Sequence, residues 1–183
     1  MTETDQAALN RALAGDQDGF RVLVERYSHA LFRLAFRMTG NESDAEDIVQ
    51  ESFLRTWRNL SHYDGRASFS TWLYRIAANC ALDHLRGRRR RAQEPLEETA
   101  PVPAMDPAPD RLAFGGQVSR RVEAAMAQLS SQERTAFVLR HHEELSIDEI
   151  SVALGVSREA TKNSVFRAVQ KLRRALAPVA GSV

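Results

Sequence analysis

A proline-rich acidic segment at residues 92–110, AQEPLEETAPVPAMDPAPD, divides this 183-residue chain into two parts. The segment contains five of the six prolines and five carboxylates, and it has no Lys or Arg. Its apolar content is too small for a core of its own and its like charges repel, so it predicts a flexible, extended linker. The flanking residues, 1–91 and 111–183, are each long enough to form a small domain.

The net charge of +1 conceals an uneven distribution. It is +2 for residues 1–91, −5 for residues 92–110 and +4 for residues 111–183. Five arginines lie within the six residues 86–91, and such a run must be solvated or neutralised by a polyanion. Nucleic acid is the polyanion that we expect.

Composition also excludes several classes of protein. The single cysteine, Cys80, excludes an internal disulfide and a multi-cysteine zinc site. No apolar run approaches the ~20 residues that span a bilayer. The opening sequence, MTETDQAALN, lacks the basic and apolar regions of a signal peptide. We therefore expect a cytoplasmic protein that does not insert into membranes.

Three carboxylates, Asp44, Asp47 and Glu51, recur at i, i+3 and i+7 and so share one face of a predicted helix. Three interpretations of this face remain open: a metal site, acids that suit the helix dipole, and a contact surface for another protein. No histidine joins the carboxylates at ligand spacing, and we expect neither a metal nor another cofactor.

Apolar residues recur at helical spacing through both parts of the chain, which predicts an all-α fold. In the first part we expect helices near residues 7–14, 18–38 and 43–60, and a fourth from residue 69 onward. The third should begin with a capping box of Ser43 and Glu46. Its inner side should include Trp57.

The second part is predicted to contain four helices, and two of them begin with capping boxes, Ser130 with Glu133 and Ser146 with Glu149. Residues 147–156 and the helix that follows form a helix-turn-helix pattern, in which the second helix enters the major groove. An ordinary αα-hairpin with a solvated basic face is the alternative. The predicted fold class is all-α, with two small helical domains joined by a flexible acidic Pro-rich linker, the second a four-helix domain with a helix-turn-helix.

Aromatic side chains precede the arginines in residues 69–91, FSTWLYRIAANCALDHLRGRRRR. Aromatic groups beside cations hold single-stranded bases, because stacking contributes about 1–3 kcal/mol per base and tolerates any sequence. The alternative is that the aromatics belong to the core and that the cations suit the dipole at a helix C-terminus.

Three segments carry a family resemblance: residues 44–60 (DAEDIVQESFLRTWRNL), residues 69–91, and residues 145–174 (LSIDEISVALGVSREATKNSVFRAVQKLRR). In this order they resemble the extracytoplasmic-function (ECF) sigma factors, the compact two-domain class of bacterial RNA polymerase specificity subunits. The resemblance implies a region 2-like domain at 1–91, the acidic linker at 92–110 and a region 4-like domain at 111–183. It also implies a protein that binds core polymerase, directs it to promoters and nucleates melting, with no enzyme activity and no small-molecule substrate.

The same resemblance assigns three sets of residues. The set expected to bind the clamp helices of core polymerase is Asp44, Asp47, Gln50, Glu51 and Arg55. The set expected to recognise the minus-ten element is Tyr63, Ser68, Phe69, Trp72, Tyr74, Arg75, Asn79 and Arg86. The set expected to read the minus-thirty-five duplex is Ser157, Arg158, Thr161, Lys162, Asn163, Phe166, Arg167 and Lys171.

The partners that the resemblance implies are the largest and second-largest polymerase subunits, promoter DNA in double-stranded and single-stranded form, and an anti-sigma factor. The recognition helix departs from the family pattern, because Lys162-Asn163-Ser164 stands where Lys-Ser-Arg is common. The alternative function is a helix-turn-helix transcriptional regulator that is not a polymerase subunit. Such a regulator would need only residues 111–183 and would leave the first domain unexplained.

Overall fold

The computed structural model describes residues 4–93 and 121–177, and this part of the chain consists of helices and the turns between them. The helices are α1 (Asp5–Leu13), α2 (Gln17–Thr39), α3 (Glu42–Arg58), α4 (Phe69–Gln93), α5 (helical residues 121–127), α6 (Ser131–His141), α7 (Ile147–Leu154) and α8 (Arg158–Leu176). The predicted all-α class is confirmed. The first two residues of the predicted linker belong to α4, and the rest of it lies outside the described residues.

The first half places α2 at its centre, in contact with α1, α3 and α4. Its core comprises Leu23, Leu31, Leu34, Met38 and Leu73, which are all at most 1% exposed. A glycine ends α2: Gly40 has a φ of 68°, a left-handed conformation that L-residues with a Cβ adopt at a cost.

Two local predictions for α3 are wrong. The N-cap is Asn41 rather than Ser43, and its side chain accepts a hydrogen bond from the N–H of Asp44 at 2.9 Å. Asn41 takes this place because it is the first extended residue after the left-handed Gly40. Trp57 is 38% exposed instead of inward, and its ring lies 4.8 Å from that of Phe20 at the margin of the core.

The second half confirms both predicted capping boxes, Ser130 with Glu133 and Ser146 with Glu149. Gly155 ends α7 with a φ of 63°, and Ser157 caps α8 by accepting from the N–H of Ala160 at 3.1 Å. α7, this turn and α8 therefore form the predicted helix-turn-helix. Its inner face packs Ile150, Ala153, Ala168 and Leu172.

The two halves also share a buried interface that was not predicted. α7 packs against α4 and α6 packs against α2, so Val138, Leu139 and Ile150 join the hydrophobic core of the first half. Side-chain hydrogen bonds also cross this interface, and three of them have oxygen acceptors. They run from Arg134 Nη1 to Met38 O (2.8 Å), from Thr71 Oγ1 to Glu149 Oε1 (3.0 Å), and from Tyr74 Oη to Glu143 Oε2 (2.7 Å).

Over residues 4–93 and 121–177, none of the helices combines the length and the apolar character that a membrane span requires.

Candidate nucleic-acid interface

A surface pocket of about 280 Å³ lies between the end of α3 and the first turns of α4. Three residues of the minus-ten set meet there: Trp72, Arg75 and Asn79. They are joined by Arg55 from the polymerase-binding set and by residues that sequence reasoning missed, Asn59, His62 and Ile76. The pocket combines a half-buried aromatic face with amide and guanidinium donors, which is the chemistry that holds an unpaired base.

The loop at residues 63–68 lies beside this pocket and is held by its own hydrogen bonds. Tyr63 Oη donates to the Ala67 carbonyl at 2.7 Å, and Ser68 Oγ accepts from the N–H of Thr71 at 3.1 Å. The Tyr63 ring lies 5.3 Å from Trp72 and 6.0 Å from Phe69. These contacts fix the loop against the aromatic end of α4.

Two aromatic residues of the minus-ten set are core residues in this structure. Phe69 is 5% exposed and packs against Tyr27, with 5.9 Å between ring centroids. Tyr74 is 8% exposed and donates to Glu143 across the interface between the halves. Burial, and then the hydrogen bond to Glu143, raise the pKa of Tyr74 well above its usual range. The core interpretation therefore applies to these two, while Trp72 keeps an accessible face.

The arginines at the end of α4 are partly engaged with acids of the same chain. Arg86 lies 3.3 Å from Asp83, and Arg88 donates to Asp44 Oδ2 at 2.7 Å. His84 Nε2 lies 3.1 Å from the other oxygen of Asp44. α3 and α4 are therefore joined by an ionic cluster near the basic end of α4.

The predicted polymerase-binding face is divided between two environments. Asp44 faces α4, and so do Glu51 and Arg55, since Arg55 donates to Glu51 at 2.6 Å and to Asp83 at 3.3 Å. Asp47 and Gln50 are exposed. Within the described residues, no three acidic, histidine or cysteine side chains come together as a metal-binding group.

An apolar groove of about 820 Å³ runs between α2 and α3, and sequence reasoning missed it. Leu54 and Trp57 form its rim, with 47% and 38% of their surface exposed. Its other lining residues are Phe20, Val24, Ser28, His29, Phe32, Glu42, Glu46, Val49, Gln50 and Phe53. The signal was present in the sequence: Leu54 follows Glu46 and Gln50 at intervals of four residues, on the side of α3 that should be polar.

On α8 the exposed surface carries Lys162, Asn163 and Phe166, and Phe166 is 63% exposed. Thr161, expected to contact DNA, is fully buried and donates to the Ser157 carbonyl at 3.1 Å, so its side chain does not reach the surface. Arg158 pairs with Asp148 of α7 at 3.0 Å.

Arg167 and Lys171 lie at the edge of α8 that faces α6, and both approach the nearly buried carboxylate of Glu133. Lys171 Nζ donates to Oε2 at 2.6 Å, and Arg167 Nε lies 3.6 Å from Oε1. Exposed amide, cationic and aromatic groups on one helix face are suited to base edges and thymine methyl groups in a major groove.

Comparisons with known proteins agree with this arrangement. The family model of Sigma-70 region 2 matches residues 23–91, and that of Sigma-70 region 4 matches residues 119–172. The chain is 32% identical over 170 residues to the ECF RNA polymerase sigma factor SigW of Bacillus subtilis, covering 88% of this chain and 91% of that relative. The protein belongs to the ECF sigma factors. It is therefore an RNA polymerase specificity subunit.

Two further relatives are informative. This sigma factor is 38% identical over 156 residues to the ECF RNA polymerase sigma factor SigE of Mycolicibacterium smegmatis, covering 85% of this chain and 60% of that longer relative. The solved structure of CnrH in complex with the cytosolic domain of CnrY matches with a TM-score of 0.72 at 27% identity. That match covers 96% of this chain and 99% of CnrH, so it includes both halves of the sigma factor.

Proposed function

We propose that this sigma factor binds core RNA polymerase through the apolar groove between α2 and α3. The observation that carries the proposal is the exposure of Leu54 and Trp57 at the rim of this groove. Large apolar side chains gathered in one exposed groove are typical of a protein-binding surface. Asp47 and Gln50 lie exposed on α3 and would form its polar border. The groove would bind the largest subunit of core polymerase, and another surface of the protein would bind the second-largest subunit.

The minus-ten element is read as single strand at the pocket of Trp72, Arg75 and Asn79, beside the loop at residues 63–68. Capturing one flipped base costs a few kcal/mol, which a stacking pocket offsets. Opening about ten base pairs at roughly 1.4 kcal/mol per step costs ~14 kcal/mol. The sigma factor therefore nucleates melting, and core polymerase holds the separated strands.

The minus-thirty-five element is read as duplex by α8, through Lys162, Asn163 and Phe166. Arg158, at the start of the helix, would contact the DNA backbone once a phosphate replaces the exposed Asp148. Ser164 lies at the position where the family commonly has arginine, and its side chain is buried. The promoter sequence read by this helix therefore cannot be carried over from relatives with the arginine.

An anti-sigma factor that engages both halves is the proposed regulatory partner. CnrH, which matches this chain across both halves, was solved with the cytosolic domain of CnrY. A partner of that kind would hold the halves together and cover their DNA-reading surfaces. The sigma factor would act in the cytoplasm, where polymerase and promoter DNA are found.

The decisive experiment is run-off transcription from a promoter library with core polymerase, with and without the sigma factor, with permanganate detection of unpaired thymines. Start-site-specific transcripts and an open bubble should appear only with the protein.

Leu54→Glu should weaken core binding at least tenfold, because it places a charge in the groove. Val152→Glu is the matched control, since Val152 is 51% exposed on α7 and lies outside the groove. Duplex binding without recruitment of polymerase would instead indicate a free-standing regulator.

A further inference from the structure

Glu133 occupies an unusual position for a carboxylate, at the start of α6 and beneath the edge of α8. Its side chain is only 8% exposed. One oxygen accepts hydrogen bonds from the N–H of Ser130 at 2.9 Å and from Lys171 Nζ at 2.6 Å. The other lies 3.6 Å from Arg167 Nε. A single carboxylate of α6 therefore faces two cations of the recognition helix.

Glu133 remains ionised at neutral pH. Burial by itself would raise its pKa, but the hydrogen bonds from Lys171 and Ser130 outweigh burial and hold the pKa below its ordinary value. A buried carboxylate with so little access to water depends on its cationic partners for stabilisation. Arg167 and Lys171 are four residues apart, so both reach the same carboxylate from one side of α8.

These two cations flank the reading surface of α8. With about 100° per residue, Arg167 lies about 100° from Phe166 around the helix axis, and Lys171 lies about 40° further on. A helix in the major groove presents such flanking positions to the phosphates beside the groove. Arg167 and Lys171 are 62% and 43% exposed, so their outer surfaces remain available there.

The opposite edge of α8 has a different construction. Arg158 pairs with Asp148, and these side chains are 61% and 68% exposed. A phosphate can replace Asp148 at little cost, because water readily solvates the displaced carboxylate. Glu133 cannot be released in this way while α6 and α8 stay packed.

We propose that Glu133 is a positioning residue that sets the specificity of duplex recognition. It holds Arg167 and Lys171 against α6 and neutralises part of their charge, which limits the sequence-independent attraction of α8 to DNA phosphates. A larger share of the binding free energy then comes from the base-reading residues. This inference rests on the proposed reading of the minus-thirty-five duplex by α8.

The test compares promoter binding by holoenzymes that contain wild-type or Glu133→Gln sigma factor. The substitution keeps an acceptor for the Ser130 N–H, because glutamine also serves in a capping box, and it removes the charge. The measured quantities are the slope of log affinity against log salt and the ratio of affinities for cognate and scrambled minus-thirty-five DNA. With both cations released, the slope should steepen by about 1–2 and the ratio should fall several-fold. Asp148→Asn is the matched control and should leave the slope unchanged.

Lys171→Met separates positioning from a general structural effect. In the wild-type background it should barely change the salt slope, because the charge of Lys171 is already compensated. In the Glu133→Gln background, Lys171→Met should reverse about half of the increase in salt slope that Glu133→Gln causes. If Lys171→Met made the salt slope of the wild-type background shallower by about 1, Lys171 would be a free phosphate contact. That result would overturn the proposal, even if Glu133→Gln failed to fold.

The failure of this inference can be distinguished from a failure of the proposed function. If the wild-type holoenzyme showed no preference for any minus-thirty-five sequence, the proposed duplex reading by α8 would be wrong. The proposed role of Glu133, which depends on it, would be wrong as well. A holoenzyme that discriminates normally, and keeps the same slope and ratio when Glu133 is replaced by glutamine, would overturn only the role of Glu133.

Discussion

Glu149 connects two helices of different halves through one carboxylate. It accepts from the N–H and hydroxyl of Ser146, which caps α7, and from Thr71 of α4. The backbone and side-chain hydrogen bonds of Ser146, and the weaker one from Thr71, hold the pKa of Glu149 below its ordinary value. A residue that the sequence identifies as part of a helix cap therefore also contributes to the contact between the halves.

This pKa predicts a loss of stability in acid. A carboxylate with a lowered pKa stabilises the folded state fully above the unfolded pKa of about 4.3, and the contribution is lost as the pH falls through the lower folded pKa. The free energy of unfolding from urea titrations should therefore decrease below about pH 4.3. Glu149→Gln should lower stability at pH 7 and make this decrease shallower. Glu159→Gln, in an exposed pair with Lys162, is the control, and it should lower the stability at pH 7 by less than Glu149→Gln does.

Two glycines predict opposite effects of the same substitution. Gly155→Ala should destabilise the second half by about 1 kcal/mol, because the φ of 63° is unfavourable for alanine. Gly87→Ala should stabilise the protein by roughly 0.5–1 kcal/mol, because Gly87 lies inside α4 with open space around an added Cβ. Thermal unfolding of both variants checks the pair. Equal shifts of the same sign would contradict the structural assignment of these positions.

At the scale of helices, α8 separates residues that fold the domain from residues that are proposed to contact DNA. Thr161, Ser164, Ala168 and Leu172 are buried, whereas Phe166 is the most exposed large apolar side chain in the described part of the chain. An exposed phenylalanine contributes little to the stability of a domain. In a recognition helix it can contact the C5-methyl group of thymine.

Phe166→Ala should therefore reduce discrimination at one position of the minus-thirty-five element by up to about 1–3 kcal/mol, with little change in thermal stability. The measurement is binding of the holoenzyme to promoters that carry each of the four base pairs at every minus-thirty-five position. Val152→Ala, at an exposed position on α7, serves as the control and should not change the base preference. Equal loss of affinity for all sequences would show that Phe166 does not read a base.

At the scale of the whole molecule, the two halves lie too close together for the proposed reading surfaces to span a promoter. α7 of the helix-turn-helix packs directly on α4, which carries most of the proposed minus-ten pocket. The minus-ten and minus-thirty-five elements are about 25 base pairs apart, or ~85 Å along the duplex at 3.4 Å per base pair. The two proposed reading surfaces cannot engage both elements while α4 and α7 remain in contact.

Formation of the promoter complex should therefore separate the halves. Fluorophores placed by Asn10→Cys and Val152→Cys, in a chain with Cys80→Ala, should show high energy transfer in the free protein. Transfer should fall strongly on addition of core polymerase and promoter DNA. Unchanged transfer in an active promoter complex would contradict this expectation. When the labelled protein is bound to an anti-sigma partner, energy transfer should stay as high as in the free protein.

The sequence alone determined most of the local structure of this protein, because caps, turns and helical periodicity depend on neighbouring residues. The start of α3, where Asn41 is the N-cap in place of Ser43, is an exception. The boxes at Ser130 and Ser146, the breaks at Gly40 and Gly155 and the outward direction of Phe166 could all be predicted in this way. The three motifs in order also led to the family.

Only the tertiary structure decided which surfaces are available, because accessibility depends on residues that are distant in sequence. Tyr74 is buried by Glu143 and its neighbours, 69 residues away, and the carboxylate of Glu133 meets Lys171 across 38 residues. The groove beside Leu54 is lined by Phe20 of α2 and Phe53 of α3, whose ring centroids lie 6.4 Å apart, so it depends on how these two helices pack. Periodicity reports the side of a helix on which a residue lies, and packing determines what that side meets.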